Sequence, residues 1–188
     1  MLVNIREIQK VLPKSNPLGT YTPLEEINIK SYYLLTHAEF EYFIERCAIS
    51  KINDIVVNFK SRNTPHICLL SMVFSYLKED DSIKSLRKAG NIIDLIDKMN
   101  GGYHSVINSN NGIKEENLEK IFSPLGIDIQ NFLGITLTTE LSTLGSKRGD
   151  FAHNALHIKN IEDPAIAIRR TLVIQRELGK FMRKLLIY

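Results

Sequence analysis

The chain has no tryptophan and only two cysteines among its 188 residues, and it has no run of about 18 apolar residues. The missing apolar run excludes a membrane-spanning helix. Met1–Glu7 is amphipathic and charged, and it lacks the apolar stretch and small-residue cleavage site of a secretory signal. Cys47 and Cys68 sit inside apolar helical patterns without metal-ligand spacing, so they read as reduced core residues of a cytoplasmic protein. Clean alternation of apolar and polar residues is nearly absent, which removes the signature of a half-buried sheet. Gly101-Gly102 and Gly112 do not follow the strand, Gly-rich loop, helix order of a phosphate cradle, and no Ser or Cys nucleophile elbow is present. His153 and His157 are four apart, a spacing that can place two imidazoles on one metal. No Glu follows the first His and no acidic ligand cluster accompanies the pair, so neither a metal nor a cofactor is expected.

What remains is a helical pattern. Apolar content of 44% and charged content of 24% are ordinary for a globular protein, and the length suits one domain over residues 1–188. Residues 2–12 read as a short helix stopped by Pro13, within an N-terminal extension of residues 1–20. Thr22-Pro23-Leu24-Glu25-Glu26 reads as an N-cap, a first-turn Pro and two acids at the positive end of a long helix running to Lys60. Tyr33, Leu34, Phe40, Tyr42, Phe43, Ile44, Cys47, Ile52, Ile55, Val56 and Phe59 are expected on its buried side. The aromatics Tyr32, Tyr33, Phe40, Tyr42 and Phe43 read as core and not as a base-stacking platform. A helix opens after Asn63-Thr64-Pro65, and another spans 83–99 and ends at Gly101-Gly102. His104 to Gly112 reads as a loop, followed by a short amphipathic helix over 114–122. Further helices start near Thr138 and span Asp163 to Leu186. The fold class is all-α: a helical bundle with a short helical and loop insertion before the helix that starts near Thr138.

Charge is unevenly placed. Residues 147–188 contain nine Lys or Arg against four Asp or Glu, while the whole chain carries +3, so the remainder is −2. A basic C-terminal quarter suits a polyanionic substrate, and equally a solvated basic helix face. Within it lies Arg148-Gly149-Asp150-Phe151-Ala152-His153, then Asn154. A permanent cation can hold a phosphate, and a nearby imidazole can move a proton. In a regular helix, however, residues five apart differ by about 140° in direction and about 7.5 Å along the axis. Two arrangements could unite the pair. Asp150 could cap a helix start, which would place His153 in the first turn near the positive helix end. Alternatively, two copies of the motif could face each other across a symmetric dimer. The plain alternative is a surface Arg148–Asp150 ion pair beside a packed His153. His37 with Glu39 and Glu41 could similarly serve acid–base work, or simply form a polar helix face.

Three stretches together resemble the HEPN superfamily (higher eukaryotes and prokaryotes nucleotide-binding domains), and within it the RiboL-PSP-type group. They are HAEFEYFIERCA at residues 37–48, NSNNGIKEENLEKIFSPLGID at 108–128 and LGSKRGDFAHNA at 144–155. The third is similar to the superfamily's R-x4-H element with its helical Ala-His ending. The resemblance implies a helical fold and a metal-independent endoribonuclease acting as a homodimer. In that scheme an RNA 2′-hydroxyl attacks the adjacent phosphorus, His153 is general base or acid, and Arg148 holds the phosphate. Lys147, Asp150 and Asn154 would contact substrate. Such domains are commonly toxins or defence effectors, so an antitoxin or sensor protein is an implied partner. Gly149 stands where the family usually has a polar residue, and Asn154 where it commonly has Gly. Those departures leave open a non-catalytic helical module that binds RNA, nucleotide or protein.

Overall fold

The computed structural model describes residues 3–77, 91–153 and 161–188. Among them there are eight α-helices and no strand. These are α1 (Val3–Gln9), α2 (Pro23–Arg62), α3 (Ile67–Leu77), α4 (Ile92–Asn108), α5 (Glu115–Phe122), α6 (Ile129–Leu133), α7 (Ile135–His153) and α8 (Pro164–Ile187). The all-α expectation holds.

Local sequence explains most boundaries. Thr22 and Glu25 form a reciprocal capping box: the Glu25 N–H donates to Thr22 Oγ1 at 3.3 Å, and the Thr22 N–H to Glu25 Oε2 at 2.8 Å. Asn91 caps α4 by accepting from the Asp94 N–H at 2.9 Å, and Asp163 caps α8 by accepting from the Ala165 N–H at 2.8 Å. Gly134 takes φ +77, a left-handed turn that separates α6 from α7.

Several expectations need correction. The helix placed over 83–99 does not end at Gly101-Gly102: α4 continues through both glycines to Asn108. Buried Tyr103 and Ile107 extend the helical stripe of Leu95, Ile96 and Met99, and that packing outweighs the poor helix propensity of two glycines. Its expected start and the charged break at Glu79–Ser82 lie outside the described residues. Helix α6 was not anticipated, although Asp128 caps it at 3.0 Å from the Gln130 N–H. Tyr42 is exposed, not core, because it sits about 200° around the helix from buried Phe40. Leu34 and Phe59 are only half-buried.

The chain forms two compact units. The first comprises Met1–Ile44, Gly112–Glu115 and Leu133–Tyr188; the second comprises Glu45–Asn111 and Glu116–Phe132. In the first, Ile29, Tyr32, Tyr33 and Phe40 of α2 are buried, as are Leu137, Leu141 and Leu144 of α7 and Ile174, Leu178 and Phe181 of α8. Each such large side chain contributes roughly 1.5–3 kcal/mol on burial. The Tyr32 hydroxyl spends its polarity on Thr171 Oγ1 at 2.7 Å. In the second unit, Ile52, Ile55, Cys68, Met72, Ile96, Tyr103 and Phe122 form the core, and the Tyr103 hydroxyl donates to the Ile121 carbonyl at 2.7 Å. No helix is long and apolar enough to cross a membrane among the described residues.

Candidate functional site

Helix α7 carries the motif. Leu137, Leu141, Leu144 and Phe151 recur at helical spacing and are buried, which fixes how the helix is rotated against its neighbours. Lys147 and Arg148 then fall at half-buried positions, and Asp150 is exposed. The helix is unbroken from Ile135 to His153. Asp150 is therefore not an N-cap, and the arrangement with a helix start at Gly149-Asp150 is ruled out. Gly149 carries ordinary helical backbone, and a Cβ added there would meet nothing within 4 Å. The α7 backbone reaches His153, but the His153 side chain and all of Asn154 lie outside the described residues.

Arg148 sits beside His37 of α2. That imidazole is 3% exposed, with Nδ1 3.6 Å from Glu41 Oε2. Burial first, and then the positive charge of Arg148, hold the His37 pKa down at about 4. The Glu41 carboxylate favours the charged ring, yet the lowering influences win. At neutral pH His37 therefore adds no second positive charge near Arg148.

Lys147 is drawn into a different cluster. Its ammonium lies 3.5 Å from Glu162 Oε1 and 5.3 Å from the centroid of the Tyr33 ring. Glu162 also accepts a short hydrogen bond from the Tyr33 hydroxyl and pairs with Arg170 Nη2 at 3.2 Å. Arg170 Nη1 in turn reaches Glu140 Oε2 at 2.5 Å. The Tyr33 ring meets Phe151 at 5.4 Å between centroids. Burial pushes the Glu162 carboxyl up, but the Tyr33 hydroxyl and the charges of Lys147 and Arg170 together hold it below the usual carboxylate range. Burial, followed by the Glu162 carboxylate, pushes the Tyr33 hydroxyl well above its ordinary value. One carboxylate thus ties α2, α7 and α8 together at the turn of α7 that carries the motif.

The neighbouring Asp163 makes a second clamp. Its carboxylate caps α8 and also accepts from Ser15 Oγ at 2.8 Å and Tyr21 Oη at 2.7 Å. Sequence reasoning missed Glu162, Arg170, Glu140 and the polar role of Tyr33. The one available signal was the acidic pair Glu162-Asp163 placed directly before Pro164 in a basic quarter of the chain. No group of His, Cys, Asp or Glu able to hold a metal ion occurs among the described residues.

The model of the RiboL-PSP-HEPN family matches residues 2–178. The chain belongs to this HEPN family. The match spans every segment on which the resemblance rested, and the motif helix falls inside it. Comparison with curated proteins and with solved structures gives no match.

Proposed function

We propose that this HEPN domain is a metal-independent endoribonuclease whose site is completed by a second copy of the chain. The observation that carries the reading is the regular, unbroken α7 across Arg148-x4-His153. On one straight helix the two positions diverge by about 140°, so a cleft needing both side chains draws them most simply from two chains related by a two-fold axis. Arg148 holds the scissile phosphate and stabilises the charge that develops on it. His153 moves the proton to or from the attacking 2′-hydroxyl and the leaving 5′-oxygen. Products carry 2′,3′-cyclic phosphate and 5′-hydroxyl ends, and DNA, which lacks the nucleophile, is not cut. Neutral His37 adds no charge of its own to the field of Arg148. Exposed Asp150, together with Asn154, supplies polar contacts to substrate, and Lys147 supplies positive charge one residue before Arg148. An RNA-cleaving domain of this kind fits a toxin or defence effector restrained by a protein partner.

Labelled single-stranded RNA, with EDTA present, tests the reading. Wild-type chain is expected to cleave. His153→Ala and Arg148→Ala should each lose at least about 10²-fold in rate with unchanged helical content and assembly. Mixing the two variants should form hybrid dimers in about half of the population, each with one complete site, and raise activity above that of either variant alone. Full activity of either single variant would refute the mechanism. A second reading, a helical module that binds RNA, nucleotide or protein without cleaving, is favoured by Gly149 at the position after the Arg. Salt-sensitive RNA binding with no product would select it.

A further inference from the structure

Gly145 lies three residues before Arg148 on α7, and it is buried although it has no side chain to bury. Lys114 crosses it. A methyl carbon added at Gly145 would stand 3.0 Å from Lys114 Cγ and 3.5 Å from Lys114 Cε. The first of these is inside the roughly 3.5–4.0 Å of an ordinary carbon contact. The lysine stem therefore lies flat on the helix backbone, in a slot that a side chain at 145 would fill. The neighbouring sequence holds it there. Ile113 is buried, and Gly112–Glu115 belongs to the same compact unit as α7, although the residues on either side of this short segment belong to the other unit.

The head of that side chain is uncommitted. Lys114 is exposed and has no carboxylate partner among the described residues. Arg148 is half-buried and likewise meets no carboxylate among them; its charge acts on His37, which is neutral at pH 7. Residues three apart on a helix are neighbours, about 60° apart in direction and about 4.5 Å along the axis. A long helical side chain also leans over the turn that precedes its own Cα. Arg148 therefore leans toward the turn that Lys114 crosses. Lys147 faces about 160° away from Gly145, where Glu162 and the Tyr33 ring share its charge. The unmatched cation on the Arg148 side of α7 thus comes from outside the motif. A strand of regularly spaced phosphates can engage Lys114 and Arg148 together, Lys as a point charge and Arg as a fork.

We propose that Lys114 is a substrate-positioning residue, which binds the phosphate next to the one held by Arg148 of the same chain. The proposal rests on the cleavage reading for its ligand, an RNA strand. A contact to a flanking phosphate is made equally in ground and transition states, so its loss raises KM and leaves kcat nearly unchanged. The test uses single-stranded RNA and, in parallel, a 2′-O-methylated strand of the same sequence that 2′-hydroxyl chemistry cannot cut. In Lys114→Gln, KM for cleavage and Kd for the methylated strand should both rise about tenfold. The dependence of log affinity on log salt should become shallower by roughly 0.7, the value of one phosphate contact on a single strand. Lys114→Arg should restore most of the loss. Gly145→Ala displaces the stem, so it should reproduce part of the loss in the wild-type background and add nothing to Lys114→Gln. Lys114 is exposed, so its variants should keep wild-type helicity by circular dichroism. Wild-type KM, Kd and salt dependence in Lys114→Gln would overturn the proposal while leaving the cleavage reading intact. A Gly145→Ala effect that persists undiminished beside Lys114→Gln would overturn it too. Lys114-dependent binding of the methylated strand by a chain that cuts nothing would support the contact and remove the cleavage reading. A chain that neither binds nor cuts removes both.

Discussion

In the first unit, charged side chains converge on the motif helix. Glu162 and Arg170, about one-sixth exposed, join Tyr33, Lys147 and Glu140 into one connected group that spans three helices. In the second unit, the described links include exposed or isolated pairs: Lys60 pairs with Asp97 at 2.5 Å with both side chains well exposed, and His104 Nε2 meets Asn53 Oδ1 at 3.1 Å. Both units bury comparable apolar cores, so the contrast lies in what their charges must do. Half-buried, mutually dependent charges fix a geometry because each member is costly to strand. Exposed pairs fix little, because solvent screens them. Among the described residues, the connected group of half-buried charges lies in the unit that contains the R-x4-H motif.

Substitutions can break or sharpen this contrast. The largest stability effect is expected from Arg170→Met, which removes the cation shared by Glu162 and Glu140 and leaves Glu162 to Lys147 and Tyr33. A loss of about 3 kcal/mol should lower Tm by roughly 6–12 °C, as read by thermal unfolding at pH 7. A loss no larger than that of an exposed pair would mean that the cluster is loose.

Next comes the pH dependence of His37. Its folded pKa of about 4 lies below the roughly 6.5 of an unfolded chain, so the unfolded state takes up the proton first. Stability should be at full value above about pH 6.5, decline as pH falls, and stop declining near pH 4. The total is on the order of 3 kcal/mol, reduced by whatever Glu41 recovers. Urea midpoints measured from pH 7.5 to 4 in wild type and His37→Leu should show this slope in the wild type only.

Gly149→Ala probes α7 itself. The position is helical with open space around it, so Ala should stabilise the isolated chain by about 0.5–1 kcal/mol. A loss of self-association in the same variant would show that a partner's backbone comes close there. The smallest effect is expected in the second unit, where a double-mutant cycle on Lys60 and Asp97 should return at most about 1 kcal/mol.

Much of this fold was legible because its helices obey local rules. Pro23 after a Thr22–Glu25 box, Pro164 after Asp163 and the periodic apolar stripes all announce themselves within a few residues. The failures were tertiary. Nothing local shows that Tyr103 and Ile107 will carry α4 through two glycines, or that Tyr42 will face outward while Phe40 and Phe43 face inward. The site divided in the same way. Arg148 and Lys147 could be picked out by residue type and spacing, but Glu162 lies fourteen or more positions away and meets them only through folding. The sequence leaves His37 between acid–base work and a polar helix face, because its burial and the influence of Arg148 depend on a helix more than a hundred residues distant.

If the proposed reading holds, the unbroken course of α7 sets the reaction order in protein. On the proposed reading, in which Arg148 and His153 of one site come from two chains, a lone chain is half of a catalyst. Turnover per chain would then climb with concentration until dimers saturate and fall toward zero on dilution. A cell could hold such a protein silent by abundance alone, and a modest rise in expression would switch it on more steeply than in proportion.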